Sequence, residues 1–280
     1  MRYLAKPFRT KYWKPGDNHI EAIVNSIKRH VENGDTIIVS EKAICTAMGR
    51  VINESKVNPK FTSKIIAVFW MRFIWGYFLG VVCRLSWRNI VRLRNYPTPE
   101  GAKHKQLTLS YAGLTQTLRH GSEGGIDVSN LPYAYACLPL RDAVAEADKI
   151  RDAIREKCGR EVAVMIVDSD KTYTFRGFHI TPRPNPIRGI TSLGLPAYVL
   201  ARILRWRPRS TPLAVVGRKL TVEEALNIAA VANKVRGYGA GRTAWDVAEQ
   251  FGVGVTEVTW QMLEKVKHLP IVVVRRIPKV

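Results

Sequence analysis

Acidic residues and cysteines are the scarce components of this 280-residue chain. Its 23 aspartates and glutamates face 44 lysines and arginines, a formal charge of +21. Such a field excludes an acidic self-solvating chain. It predicts attraction for polyanions, acidic lipid or phosphorylated small molecules, or else a basic surface serving only solubility and ion networks. The four cysteines (Cys45, Cys83, Cys137, Cys158) are far apart with no C-x-x-C pair. That pattern argues against a disulfide scaffold and predicts reduced, buried thiols in a cytoplasmic protein. Residues Met1 to Lys6 contain no apolar core of signal-peptide length. The six histidines are scattered without zinc spacing, so no zinc site is expected. Internal repeats and low-complexity tracts are also missing, which removes solenoid and tail architectures.

What is present is an ordinary apolar fraction of 46%, enough for proper cores in one large domain or two modest ones. Basic clusters lie at Arg84–Arg94, at Arg202–Arg209 and at Arg275, Arg276 and Lys279. Residues 1–60 read as β-α-β. Lys14-Pro-Gly-Asp17 is a turn, Asp17 or Asn18 caps a helix through about Val31, and Thr36 to Ser40 is a short buried strand. A second helix ends near Gly49. Pro97 to Gly101 reads as a turn, and Lys105 to Arg119 mixes strand and helix signals. Asp142 to Lys157 is an amphipathic helix closed by Gly159. Glu161 to Asp168 is the best strand, a nearly continuous apolar run ending on an acid. Leu220 to Val235 is another helix, and Ile271 to Arg275 a last strand.

Ile65 to Leu85 is the most apolar stretch and approaches the length of a membrane span. Arg72 near its middle costs a few kcal/mol in lipid, roughly, and Gly76 and Gly80 weaken a straight helix. It is read as a helix buried in the core or in a dimer interface, ahead of attachment to a membrane surface.

Chemistry can sit where the best strand ends, at Asp168-Ser169-Asp170, because open sheets expose ligand sites at carboxyl edges. The glycine-rich loop Gly124-Gly125-Ile126-Asp127 offers a second carboxylate beside unhindered backbone amides. Two carboxylates from separate segments suit a magnesium or manganese ion shared with substrate phosphates. Taken singly, each has a plainer reading: a strand-terminal aspartate as a helix cap, and a Gly-Gly loop as a turn.

Together these segments resemble the coenzyme F-420 gamma-glutamyl ligase family, in order along most of the chain. The K-x-G-D turn appears as Lys14–Asp17. A G-D-x-(strand)-S-x-K segment with a following G-R pair appears as Gly34-Asp35, Ser40-Glu41-Lys42 and Gly49-Arg50. The specific motif, A-G-I-D-x-S-N, appears as Gly124-Gly125-Ile126-Asp127-Val128-Ser129-Asn130, and I-x-D-T as Ile166-Val167-Asp168-Ser169. A late helix with a glycine-rich turn matches Glu223–Gly241, and a closing V-V-V-R strand matches Val272–Arg275.

The resemblance implies an α+β fold of mixed β-sheets with flanking helices, a gamma-glutamyl-ligase-like domain over residues 1–280. It would carry an apolar helical insert at about 62–95 and a helical elaboration at about 242–268. It also implies a homodimer that uses GTP and one or two magnesium or manganese ions to join an amino acid to a small acidic substrate through an acyl phosphate. Carried over by position, Asp127, Asp168 and Ser169 would hold metal. Glu41, Lys42 and Asn130 would contact the nucleotide. The chain departs from the pattern at Thr46 and Met48, where the family has a lysine and an acid. It departs again at Tyr238, where the late turn carries a metal ligand, and at Arg9–Trp13 and Asp170–Arg176. A divergent paralogue is therefore expected, with no catalytic residue assigned.

Two other readings compete. One is a catalytically inactive nucleotide-binding paralogue. The other is RNA or DNA binding, through a loose helix-turn-helix spacing at Thr243–Val258 or an anion site at Arg202–Arg209 around Trp206. Two helices packed by Val247, Phe251, Val258 and Leu263 explain the former spacing as well, and nucleic acid is the less favoured partner.

Overall fold

The run Thr36 to Ser40 forms a central strand because β-branched side chains suit both faces of a covered sheet. In the computed structural model, which describes residues 2–277, Ile37 and Val39 point to one layer and Ile38 to the other. Lys279 lies outside the described residues.

From the N-terminus the chain forms β1 (Arg2–Thr10), α1 (His19–Ile27), β2 (Thr36–Ser40), α2 (Glu41–Ala47) and β3 (Val51–Asn53). Helices follow: α3 (Phe61–Val82), α4 (Trp87–Arg94), α5 (Thr98–Ala112) and α6 (Leu114–Thr117). Next come β4 (Tyr135–Cys137), α7 (Ala143–Cys158), β5 (Ala163–Phe175), β6 (Phe178–Thr181) and β7 (Thr191–Ser192). The chain ends with α8 (Leu195–Ile203), β8 (Arg207–Val216), α9 (Val222–Arg236), α10 (Ala244–Phe251), α11 (Trp260–Glu264) and β9 (His268–Ile277).

The fold is α+β with mixed sheets. The main sheet runs β1-β9-β2-β5-β6-β7, with β8 also on β5; β2 and β5 are parallel, and β1, β9 and β8 are antiparallel to their neighbours. Helices α1 and α7 cover one face, where Ile23, Ile27, Ile150 and Ile154 meet Ile37, Val164, Ile166 and Ile271. Helix α9 covers the other, setting Ala225, Ile228 and Ala229 on Ile38, Met165, Val167 and Val272. Each of these buried valines, isoleucines and the methionine contributes about 1.5–3 kcal/mol, and each alanine less, an upper bound since the unfolded chain is itself partly collapsed. A separate two-stranded antiparallel sheet pairs β3 with β4, which comes back beside it only after the helical segment between them.

Several local expectations are corrected. Asn18, not Asp17, caps α1, accepting from the Glu21 amide, while Asp17 accepts from the Lys14 amide and pairs with Lys11. The helix stops at Ile27, short of Val31. Pro97–Gly101 opens α5 with a proline in its first turn, where the missing amide costs nothing, and Lys105–Ala112 is helical throughout. That helix is nearly uniform around its circumference because it is buried beside charged partners, which is why its periodicity misled. In the Arg202–Arg209 stretch, Arg205 and Arg207 are exposed, while Arg202 and Arg209 are engaged within the fold. Arg202 donates to the Cys83 and Arg84 carbonyls, and Arg209 is buried on Glu223, Asn227 and Thr174. Helices α10 and α11 pack on Val247, Val258 and Leu263, and α11 is five residues long, too short to read a groove.

The apolar segment is helical, and one of its faces packs into the core of the chain. Helix α3, wound with i→i+5 bonds over Ile66–Leu79, packs Ser63, Ile66, Ala67, Met71, Trp75, Gly76 and Gly80 inward. The indoles of Trp70 and Trp75 both donate to the Leu118 carbonyl, and Arg72 donates to that of Tyr96. Its other face is open.

Candidate functional site

Strand β5 does not end at Asp168; it runs seven residues further, to Phe175. The pairing of β5 with β8 shifts register between Asp168 and Lys171, and such a bulge re-aims side chains. The carboxylate thus leaves the strand's interior at an irregularity rather than at its tip. Asp168 Oδ1 accepts from the Asp170 amide at 3.2 Å and, more weakly, from the Ser169 hydroxyl at 3.4 Å. Its Oδ2 accepts from Arg183 Nε at 2.7 Å.

Arg183 is the organising residue, and the sequence reading missed it. Its guanidinium is 3% exposed, donates to both oxygens of Glu41 (2.7 and 2.9 Å), and reaches the Gly124 carbonyl at 2.9 Å. Two carboxylates and the glycine loop are therefore held by one fork, a geometry that lysine could not reproduce. Gly125 is required here. Its φ is +93°, and a Cβ would lie 2.4 Å from the Arg183 guanidinium carbon. The only local signal was an arginine between two prolines, Pro182 and Pro184.

Asp127 follows that loop, held by backbone bonds exchanged with Cys137. Lys42 Nζ donates to Asp127 Oδ2 at 2.8 Å and to the Ser129 hydroxyl at 2.8 Å. The Ser129 amide and hydroxyl both donate to Oδ1 at 2.7 Å. Burial alone would raise this carboxyl; Lys42 and Ser129 outweigh it and hold it below the usual carboxylate range. Asp170 goes the other way. Burial, with Asp168 nearby, pushes it up to about 6 despite Arg119 at 3.2 Å. Burial likewise pushes Glu41 to about 6 against the pull of Arg183.

Two residues expected to contact a nucleotide also make firm contacts within the fold, and Asn130 lines the smaller of the two cavities beside the corner. Glu41 is 3% exposed and occupied by Arg183 and the Leu140 amide, so it braces the corner from beneath. The Asn130 side chain accepts from the Ala240 amide and donates to the Tyr238 and Gly241 carbonyls, pinning the glycine-rich turn. Gly239 in that turn has φ +63°, and a Cβ would meet Asn130 Oδ1 at 2.8 Å. Thr46, in place of a family lysine, donates to the Lys42 carbonyl.

Two cavities adjoin this corner. The smaller, about 110 Å³, is lined by Lys42, Thr46, Asp168, Arg236, Lys267 and the glycine-rich turn. The larger, about 630 Å³, is lined by Asp127, Asp170, Lys171, Arg119 and aromatic rings including Tyr96, Tyr133 and Trp245. Ser129, Ser169, Tyr238 and Arg242 face both. A wall of three hydroxyls and a guanidinium thus lies between a small basic pocket and a larger aromatic one.

Asp127, Asp168 and Ser169 offer only oxygen, the preference of a hard divalent cation. Among the described residues no group of three or more His, Cys, Asp or Glu side chains gathers to hold a metal. Donors of this kind would leave most of an ion's shell to be completed by substrate phosphates or water. At the expected position of a further ligand stands Tyr238, whose ring is stacked under Arg242 at 4.3 Å.

A second charged cluster lines the larger cavity. Lys105, fully buried, donates to Glu123 at 2.7 Å and to the Thr117 and Arg119 carbonyls. His104 bridges Glu54 at 2.6 Å and Glu123 at 3.2 Å. Burial disfavours its imidazolium, but the two glutamates outweigh burial and raise it to about 10.

The sequence profile of the family described as F420-0:gamma-glutamyl ligase matches residues 7–246. A protein of Methanocaldococcus jannaschii described as uncharacterized is 33% identical over 97% of this chain and 96% of its own length. The coenzyme F420:L-glutamate ligase of Archaeoglobus fulgidus is 26% identical over 59% of this chain and 58% of the ligase. That of Haloarcula marismortui is 36% identical over 51% of each chain.

Proposed function

The chain belongs to the F420-0:gamma-glutamyl ligase family, and from that premise we propose that it is a nucleotide-dependent acid–amine ligase acting across the wall between its two cavities. The observation that carries this reading is the pair of unlike pockets sharing Ser129, Ser169, Tyr238 and Arg242. Ligation needs two such compartments, one for the phosphates and one for the carboxylate being activated.

In this reading the triphosphate of GTP enters the smaller pocket, where Lys42, Arg236, Arg242 and Lys267 offset its charge. The acidic substrate lies among the rings of the larger one. Its carboxylate oxygen attacks the γ-phosphorus and GDP leaves, giving an acyl phosphate. The amine nitrogen of an amino acid such as glutamate then attacks the acyl carbon and phosphate departs. A proton must leave that nitrogen. Asp170 lines the larger cavity and is poised near 6, so it is the residue best suited to accept it. Asp127, Asp168 and Ser169 would hold one magnesium or manganese ion, which supplies neutralisation of phosphate charge. Arg183 and Glu41 act through position, fixing Asp168 relative to the Gly124–Asp127 loop.

The test is to incubate the protein with GTP or ATP, magnesium or manganese, glutamate and a panel of small aromatic acids, and to measure nucleoside diphosphate and phosphate. Ligation predicts release that requires both acid and amine and that falls at least a hundredfold in Asp170→Asn, roughly the lower end of general-base effects. Nucleotide binding without consumption under every combination would replace the ligase by an inactive nucleotide-binding paralogue.

A further inference from the structure

Helix α3 presents an open row of apolar side chains at four-residue spacing: Ile65, Phe69, Phe73, Tyr77 and Val81, each between 44% and 59% exposed. Phe61, Phe78 and, on α4, Trp87 extend it, at 77%, 61% and 66%. The rings are ordered against one another. Phe69 and Phe73 lie 6.1 Å apart, Phe73 and Tyr77 6.2 Å. Arg94 lies over both Tyr77 and Trp87, at 4.2 and 5.0 Å, and donates to the Gly76 carbonyl. A contiguous aromatic face of this kind on an otherwise charged protein calls for an occupant.

The charge around the row says which. Residues 55–99 contain eight lysines and arginines and no aspartate or glutamate. Lys60, Lys64, Arg84 and Arg88 are exposed along its margin. The acids that approach this rim, Asp246 and Glu249, lie on α10 and are paired with Arg88 and Arg92. A second copy of the chain docking by the same face would set this basic rim against itself with no acid to answer it, on a molecule carrying +21 overall. Spanning is also disfavoured. The helix is long and apolar enough, but Ala67, Met71 and Trp75 are packed inward, and Trp70, Trp75 and Arg72 are bonded to the Leu118 and Tyr96 carbonyls.

We infer that α3 and the start of α4 form a docking face for an anionic bilayer surface. The rings and aliphatic side chains enter the headgroup boundary, and the basic rim meets acidic lipid. The protein would then sit on a membrane without crossing it.

The experiment is sedimentation with vesicles of phosphatidylcholine alone or mixed with phosphatidylglycerol, at low and high salt. The variants are Phe69→Ser/Phe73→Ser/Tyr77→Ser, which keeps every charge, and the control Phe178→Ser, an exposed ring elsewhere (71% exposed). Circular dichroism checks folding, and light scattering checks mass. Wild type and the control should partition onto the mixed vesicles, and the triple variant should bind them about tenfold more weakly or worse. The difference should persist in high salt, where charge is screened. The inference is overturned if wild type ignores the mixed vesicles. It is equally overturned if the triple variant binds them as wild type does, whether charge alone holds both or the row instead joins two copies that the substitutions separate.

Discussion

Two charged clusters flank the same large cavity and solve opposite problems. The first, Lys105, Glu123, His104 and Glu54, is closed: two cations and two carboxylates meet one another and nothing is left over. The second, around Asp127 and Asp168, is open. Its carboxylates are each held by one cation, Lys42 or Arg183, while Lys171, Arg236, Arg242 and Lys267 face the pockets. Charge that is internally cancelled serves the fold, whereas charge that leaves cations on a cavity wall can receive an anion. The comparison teaches which of two buried ionic groups to regard as the site, although both border one cavity.

The strongest way to break that distinction is at Arg183. Arg183→Met leaves Glu41 and Asp168 buried with no cation, so unfolding by urea should show a loss of about 3–5 kcal/mol, and nucleotide binding should vanish with it. Lys105→Met should cost a similar or slightly smaller amount, about 3 kcal/mol. A second change, Glu123→Gln, should recover part of that by discharging the stranded acid. Nucleotide affinity should stay intact in the folded Lys105 variants. Equal damage to binding from both clusters would erase the contrast.

The closed cluster also carries a pH signature. The folded-state pKa of His104 is raised from 6.5 to about 10, so its stabilisation is complete below pH 6.5 and is lost as pH rises through about 10. Urea midpoints of wild type should therefore fall from pH 7 to pH 10 more steeply than those of His104→Gln. Parallel curves would show that the histidine is not held as a cation. A smaller effect is expected at the open corner from Lys42→Ala, which removes one charge-assisted contact of about 1.5 kcal/mol. Nucleotide affinity should drop roughly tenfold in titration calorimetry. The mildest change is Tyr238→Glu, which adds an oxygen ligand to the shared wall. Manganese affinity, read by electron paramagnetic resonance, should rise a few-fold, roughly, and no rise would place residue 238 away from the ion.

The sequence carried the parts of the corner that are contiguous and missed those that fold over from elsewhere. The Gly124–Asn130 loop and Asp168 were visible because motif spacing survives in one dimension, and the main strands because both their faces are buried. Arg183 was invisible because it returns to Asp168 only after the β5–β6 hairpin. Its reason for needing Gly125 is a contact across 58 positions. Glu41 and Asn130 were legible as residues, whereas their contacts with Arg183, Leu140 and Ala240 show only in three dimensions. Whether a polar side chain faces a pocket or braces a turn depends on burial and partners, which composition does not record. Helix α5 was obscured for a related reason. Its buried polar residues, Lys105 above all, have partners on α6 and the following loop, so no apolar stripe marks an inner face. Helix α3 shows the other side of this: an apolar run marks a helix, while which of its faces is covered depends on what the rest of the fold brings against it.

The most direct measurement is calorimetric titration of manganese–GTP into wild type, Asp127→Asn and Lys105→Met. The open-corner account predicts saturable binding to wild type and to Lys105→Met, and at least tenfold weaker binding to Asp127→Asn, about 1.4 kcal/mol. Absence of binding to wild type, or undiminished binding to Asp127→Asn, would contradict it.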